Sequence, residues 1–250
     1  MQTEKPKIEQ TTSFKNKLDI GETINNAIEI YKKTVLTGGL GFLILFSILL
    51  FFAAVGLGFF INPEDLQETL KNFNPEKLST KGQIIYFGSS ILVNVLISPF
   101  IAGMLKMADN AHKNEEVSVS SIHFYINSSF FLDITLATFL ITTTSVVSAV
   151  AIRMILPGNI GLFISTIVSL SISILTIIAI PLIIFKNSNY LDALKNSFQA
   201  IGRNFFIVLL LLFVAGIFAM VGVFAFCIGL FFTIPFTYAM QYSIYKRLSE

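Results

Sequence analysis

Long apolar runs alternate with short polar stretches along the whole chain. The apolar runs fall at about 36–61, 83–107, 134–152, 161–185, 205–222 and 227–245. Each has the length of a membrane-crossing helix, about 20 residues. The last two come out of one window, Asn204 to Tyr245, whose 42 residues include no Asp, Glu, Lys or Arg. As a single helix that window would measure roughly 63 Å, too long for one tilted span, so a turn is predicted near Gly222–Gly229. The expected fold is all-α and polytopic: a flexible polar tail over 1–18, then one membrane domain over 19–250 with six transmembrane helices.

Several polar stretches have a helical period of their own. Ile20, Ile24, Ala27, Ile28 and Tyr31 recur at helical spacing, which predicts an amphipathic helix over Asp19–Lys33. A polar loop with Pro63 and Pro75 follows the first span, over Asn62–Gly82. Asp109–Ser121 leads into a less regular helix over Ile122–Asp133, and Arg153–Ile160, with Pro157 and Gly158, makes a tight connection. The stretch NYLDALKNSFQAIGRNFF, residues 189–206, has an apolar side of Leu191, Leu194, Phe198 and Ile201 and a polar side of Asp192, Lys195, Asn196 and Gln199. That division suits a helix lying along a membrane surface.

The 189–206 stretch matches the N-terminal helix at an offset of 170 residues. Asp19-Ile-Gly-Glu22 aligns with Asn189-Tyr-Leu-Asp192, and each pair offers a capping side chain and an acid three positions on. Lys33-Thr34 aligns with Arg203-Asn204, directly before a span. A unit of cytoplasmic amphipathic helix plus transmembrane hairpin therefore occurs twice, and the helix before the third span fits a third copy less well. Pro99, Pro181 and Pro235 each lie in the second helix of a hairpin, which extends the pattern to three units. A proline removes a backbone hydrogen bond and kinks its helix, and in a membrane the freed carbonyl needs another partner. Such kinks serve either to splay helices around a packed bundle or to gate it.

Charge sets the orientation. Of 17 Lys and Arg residues, Lys71, Lys77, Lys81 and Arg153 fall on the side opposite the N-terminus. The other 13 share its side, a positive-inside bias that predicts cytoplasmic termini. The seven tyrosines lie near predicted span ends, as interfacial rings do. The first apolar run is too long and too far from the start for a cleavable signal and is expected to remain as an anchor. A net charge of +2 gives no reason to expect nucleic acid, and the single cysteine, Cys227, allows no intrachain disulfide.

Candidate chemistry is sparse. His112 and His123 are the only histidines; on one helix they would share a face near Glu115 and Glu116, but they fall short of the usual three or four metal ligands. No phosphate-loop, serine-elbow or zinc-protease pattern occurs, so no catalytic, cofactor or metal residues are expected. Ionisable residues deep in a span, which would point to ion coupling, are absent from the pattern. Uncharged polar residues form stripes: Ser90, Asn94, Ser98 and Ala102 beside Pro99; Ser165, Ser169 and Ser173; and Thr142, Ser145, Ser148 and Ala149. Such stripes either let helices pack closely or line a polar path. Asn94 is the sharpest case, because an amide in hydrocarbon needs a partner, expected from the third or fourth span.

DIGETINNAIEIYKK before the first span, YLDALKNSFQAIGRNFF before the fifth and GLFFTIPF in the sixth together resemble a group of bacterial six-helix inner-membrane proteins. The group includes the membrane domain that precedes some glycerophosphoryl diester phosphodiesterases. The resemblance spans nearly the whole chain through loose motifs, and it implies a six-helix membrane fold. It implies no activity, since phosphodiester chemistry in that family lies in a separate barrel domain and no catalytic residue carries over.

Two functions fit these features. One is a non-enzymatic scaffold or accessory protein whose surface helices meet membrane lipids or a protein partner. The other is a small-solute or lipid transporter using the polar faces of spans two to four. A membrane enzyme ranks third. A wet cavity lined by Asn94 and the serines would favour transport, whereas a closed bundle would favour the scaffold.

Overall fold

A computed structural model describes residues 18–60, 78–224 and 229–249. Most of the expected tail, most of the loop after the first span and Cys227 lie outside the described residues. Every regular element among the described residues is helical. In chain order these are α1 (Ile20–Phe60), α2 (Thr80–Lys113), a 3-10 helix (Val119–Asn127), α3 (Phe131–Ile155), α4 (Asn159–Leu175), α5 (Ala179–Lys186), α6 (Tyr190–Arg203), α7 (Phe205–Phe224) and α8 (Leu230–Ser249). Five stretches are long and apolar enough to cross a membrane, within α1, α2, α3, α4 with α5, and α7.

The helix ends follow their sequence signals. Asp19 Oδ1 accepts the Glu22 N–H at 2.7 Å and Asn189 Oδ1 accepts the Asp192 N–H at 2.9 Å, so each side chain satisfies one orphan donor of a first turn. Asn114 and Asn187 end α2 and α5 in the left-handed conformation, at φ 60° and 54°, which asparagine tolerates better than most residues.

One boundary differs from expectation. Asp19–Lys33 was expected to form a surface helix set apart from the first span, yet Ile20–Phe60 is one unbroken helix of 41 residues. Lys33-Thr34 contains no breaker, and the Thr34 hydroxyl bonds back to the Ile30 carbonyl at 3.0 Å without leaving the helix. At the matching position Asn204 does interrupt the chain between α6 and α7. Its N–H bonds to the Ile201 carbonyl, its side-chain amide donates to Ala200 O at 3.2 Å, and its Oδ1 accepts the Leu18 N–H at 3.4 Å. A short carboxamide competes with the helical ladder in this way.

The burial pattern repeats at the same offset. The sequence of buried, partly buried and exposed positions from Gly21 to Ile30 recurs residue for residue from Leu191 to Ala200. Thr23, Ala27, Ile30 and Thr34 are buried on α1; Ala193, Ser197, Ala200 and Asn204 are buried at the matching places. The bundle-facing side of α6 is therefore its small residues plus Ile201. Leu191 and Phe198, expected to mark a face against lipid or the bundle, are exposed outside it.

The core lies around α8. Ten of its positions are buried, among them Pro235, Phe236, Met240, Tyr242 and Ile244. It runs antiparallel to α1: Glu22 meets Arg247, Asn26 meets Ser243, Tyr31 meets Phe236, and Phe42 meets Phe231. α7 packs beside it, with Phe218 and Phe236 4.6 Å apart between ring centres. A helix enclosed by its neighbours can carry Gln, Tyr and Ser without exposing them on an apolar surface, which explains why α8 is less apolar than the five stretches long and apolar enough to cross a membrane.

The helix expected over Ile122–Asp133 is instead a 3-10 segment followed by the start of α3. Glycines seat it. A Cβ on Gly103 of α2 would collide with the Ile122 backbone, and one on Gly41 of α1 would collide with the Ile122 side-chain tip. Gly41 lies eight positions beyond Lys33, about 12 Å along the helix, so the segment docks against the shafts of α1 and α2 and not merely at their ends.

Candidate functional site

The stripe residues do not converge. Asn94 is exposed, and its amide donates to Ser90 O of its own helix at 2.9 Å. The interhelical partner expected from the third or fourth span is not made. Ser173 is exposed and Ser169 only partly buried. Ser98 and Ser165 are buried, but both hydroxyls donate to their own helices, to Val95 O at 2.8 Å and Leu162 O at 2.9 Å. Ser165 also accepts from Arg153 Nε at 3.1 Å, which links α3 to α4 across their turn.

The three prolines form a coherent set once the carbonyl four residues earlier is followed in each case. Pro99 frees Val95 O, which accepts from Ser98 Oγ. Pro181 frees Ile177 O, which accepts from Gln241 Nε2 of α8 at 2.7 Å. Pro235 frees Phe231 O, which rests on Gly39 of α1, where an added Cβ would stand 2.5 Å from that oxygen. Gly38 packs against the Pro235 ring itself. Two of the freed carbonyls thus gain hydrogen bonds, one from a neighbouring hydroxyl and one from a remote amide, and the third lies against a glycine that lets a second helix close over the oxygen.

Pro181 has the largest consequence. The predicted span 161–185 is divided into α4 and α5 by a turn at Thr176–Ile178. Two carbonyls around the turn are taken by side chains from elsewhere: Leu175 O accepts from Ser197 Oγ of α6 at 2.8 Å, and Ile177 O from Gln241 of α8. Irregular backbone within a bundle is tolerated when protein groups satisfy it in this way. Residue spacing did not reveal this joint. A signal existed, because Gln241 is the only carboxamide between Phe205 and Tyr245 and a buried amide requires partners.

A polar cluster joins α1, α2 and α8 at the end where most charges collect. His112 Nδ1 lies 3.2 Å from Asn26 Oδ1, Asn26 Nδ2 donates to Ser243 Oγ at 3.1 Å, and Ser243 Oγ donates to Ala239 O at 2.8 Å. With the Asn26 amide so oriented, His112 carries its proton on Nδ1. Beside this chain the Tyr242 hydroxyl donates to Asp109 Oδ1 at 2.7 Å, while Lys113 pairs with Asp109 Oδ2 at 2.7 Å. Lys33 Nζ donates to Ala111 O at 3.1 Å and Asn114 Oδ1 at 2.6 Å, where the negative end of the α2 dipole attracts a cation. Arg247 meets Glu22 at 2.7 Å.

The cluster's chemistry is that of a clamp. Ser243 is wholly buried, and its proton is committed to a carbonyl, so the His112–Asn26–Ser243 chain presents no nucleophile. His112 lies on α2 and His123 on the 3-10 helix, so the shared helix face is not formed. Among the described residues no three His, Cys, Asp or Glu side chains gather at metal-binding distance. No family model, curated protein or solved structure matches the chain.

Proposed function

We propose that the chain is a six-span scaffold or accessory protein of a bacterial inner membrane, with both termini in the cytoplasm. The sixth span is α8, enclosed by α1 and α7. The pairing of Glu22 with Arg247 and of Asn26 with Ser243 supports an even number of crossings, since the start of α1 and the end of α8 then share one side. The matched caps and matched burial of 19–34 and 189–204 support a repeated unit of helix and hairpin, here with one junction straight and the other broken. A relation to the membrane domains that precede phosphodiesterases accords with that count.

One observation carries the scaffold reading. Most buried polar groups of the spans are spent on carbonyls and on one another, with the Thr138 and Thr143 hydroxyls of α3 the exceptions, while Asn94 and Ser173 lie outside the packed core. Among the described residues two isolated hydroxyls on one helix do not make a path for a solute. The exposed polar side of α6 and the ends of α1, α2 and α8 remain as the surface for partners.

Cysteine accessibility tests this against the transporter alternative. In a background with Cys227 replaced by Ser, single cysteines at Ser98, Ser165 and Lys195 are treated with a membrane-impermeant maleimide from either side. Labelling only at position 195, and only from the cytoplasm, is expected. Labelling at 98 or 165 from water would favour permeation, and labelling at 195 from outside would invert the topology.

A further inference from the structure

We infer that α6 carries a binding face for anionic phospholipid, formed by the ridge Leu191, Lys195 and Phe198 with Arg203 at its polar margin and Phe206 of α7 beyond it. This inference rests on the membrane reading above and gives one of the scaffold's surfaces its ligand class.

α6 has three sides, not two. Ala193, Ser197, Ala200 and Ile201 are buried against the bundle. Asp192, Asn196 and Gln199 lie on the polar side, and Asp192 is held by the Asn189 amide at 2.6 Å. The third side is apolar and unpacked: Leu191 is 57 % exposed, Phe198 58 % and Phe206 81 %. Lys195 stands one turn from both Leu191 and Phe198 and is itself exposed, so a cation is embedded in the apolar ridge.

Position decides what covers that ridge. α6 ends one residue before the stretch Phe205–Val223, whose mean hydropathy of 3.0 is the highest among the five candidate spans. Phe206, 81 % exposed, lies in the first turn of that span, so the Leu191–Phe198 side sits where the acyl region meets the headgroups. Apolar side chains enter such a boundary while Lys and Arg stems reach back to the phosphates. Lys195 is the basic group of the ridge; the exposed Arg203 stands at the end of the neighbouring polar side, next to the start of the span, and the two outnumber Asp192, which keeps its charge while bonded to Asn189. Positive charge beside an inserted ridge selects anionic lipid over zwitterionic lipid.

The test uses the full chain in phosphatidylcholine vesicles and in phosphatidylcholine–phosphatidylglycerol vesicles. The sequence lacks tryptophan, so Phe198→Trp supplies a single fluorophore. Its emission is expected to be blue-shifted in both lipids. Amide exchange across 190–203 is expected to be slower with phosphatidylglycerol, by about fivefold for each engaged basic residue. Lys195→Gln with Arg203→Gln should erase the difference between the lipids and leave the blue shift. Inorganic phosphate at matched ionic strength, added to neutral vesicles, should not reproduce the slowing. Equal exchange in the two lipids, a water-like emission, or full reproduction by phosphate alone would each overturn the inference. A protein that enters neither vesicle type would instead defeat the membrane reading on which it rests.

Discussion

Gln241 of α8 donates its side-chain amide to the carbonyl of Ile177 at 2.7 Å, the carbonyl that Pro181 deprives of its own helical N–H. One proline thereby creates a need at Ile177, in the turn before α5, that a residue 64 positions further along the chain satisfies, and the joint between α4 and α5 is tied to α8.

If that is the role of Gln241, the cost of removing it depends on Pro181. Gln241→Leu leaves the Ile177 oxygen without a partner and is expected to lower stability in detergent by about 1–3 kcal/mol. Pro181→Ala restores an N–H to the helix. In the double variant the loss from Gln241→Leu should shrink, giving a favourable coupling energy in a double-mutant cycle. Additive effects in thermal or denaturant unfolding would show that the hydrogen bond is incidental.

Gly103 offers a second test, of the 3-10 segment. A Cβ there meets the Ile122 backbone, which cannot rotate away as a side-chain tip can. Gly103→Ala is therefore expected to lift Val119–Asn127 from the bundle, with faster amide exchange across those residues and a loss of about 1–3 kcal/mol, as for overpacking elsewhere. Ala102→Gly, one position away, also removes a buried methyl group but introduces no clash, so it should leave exchange in the 3-10 segment much less affected.

The sequence made the helical class, five of the six apolar stretches and the caps at Asp19 and Asn189 legible, because hydrophobic period and caps are local properties. Asn189 capping α6 and the polar break at Lys186–Asn189 are of this kind. The continuity of α1 through Lys33-Thr34 was not legible. Thr and Asn are both polar residues before an apolar run, and only the tertiary contact of Asn204 with Leu18 distinguishes the broken junction from the straight one. What meets the carbonyls freed by Pro181 and Pro235 was equally hidden, since each is set by which helix comes alongside, whereas Ser98 beside Pro99 is local. The stripe of Asn94 misled for a related reason: periodicity places residues on one side of a helix without saying whether another helix covers that side at that height.

Asn94 accordingly makes a different prediction from the one its stripe suggested. Its amide is exposed and bonded within α2, so Asn94→Leu breaks no interhelical contact. Thermal stability in detergent is expected to stay within about 0.5 kcal/mol of the parent, as for other exposed substitutions. A loss well beyond that would mean that Asn94 has a partner supplied by another molecule.

Asn204 is where the two matched units part, and it permits the most direct test of why. Its buried side chain takes two roles at once: it donates to Ala200 O and accepts from the Leu18 N–H. Thr34, its counterpart, bonds only backward to Ile30 and Tyr31 and leaves α1 straight. Asn204→Thr should therefore convert the junction toward the α1 type. The Leu18 amide loses its acceptor and should exchange faster, while the amides of 205–207 should gain the protection of a continuous helix. The stability cost is expected to be about 1–2 kcal/mol, since one buried donor is left unsatisfied while a helical connection is gained. Asn204→Asp keeps the acceptor for Leu18 but loses the amide donor, so it should preserve protection at Leu18 and still loosen the end of α6. If Asn204→Thr leaves both regions unchanged, the break is imposed by the packing of α6 against α4 and α5, and the side chain merely occupies a bend made elsewhere.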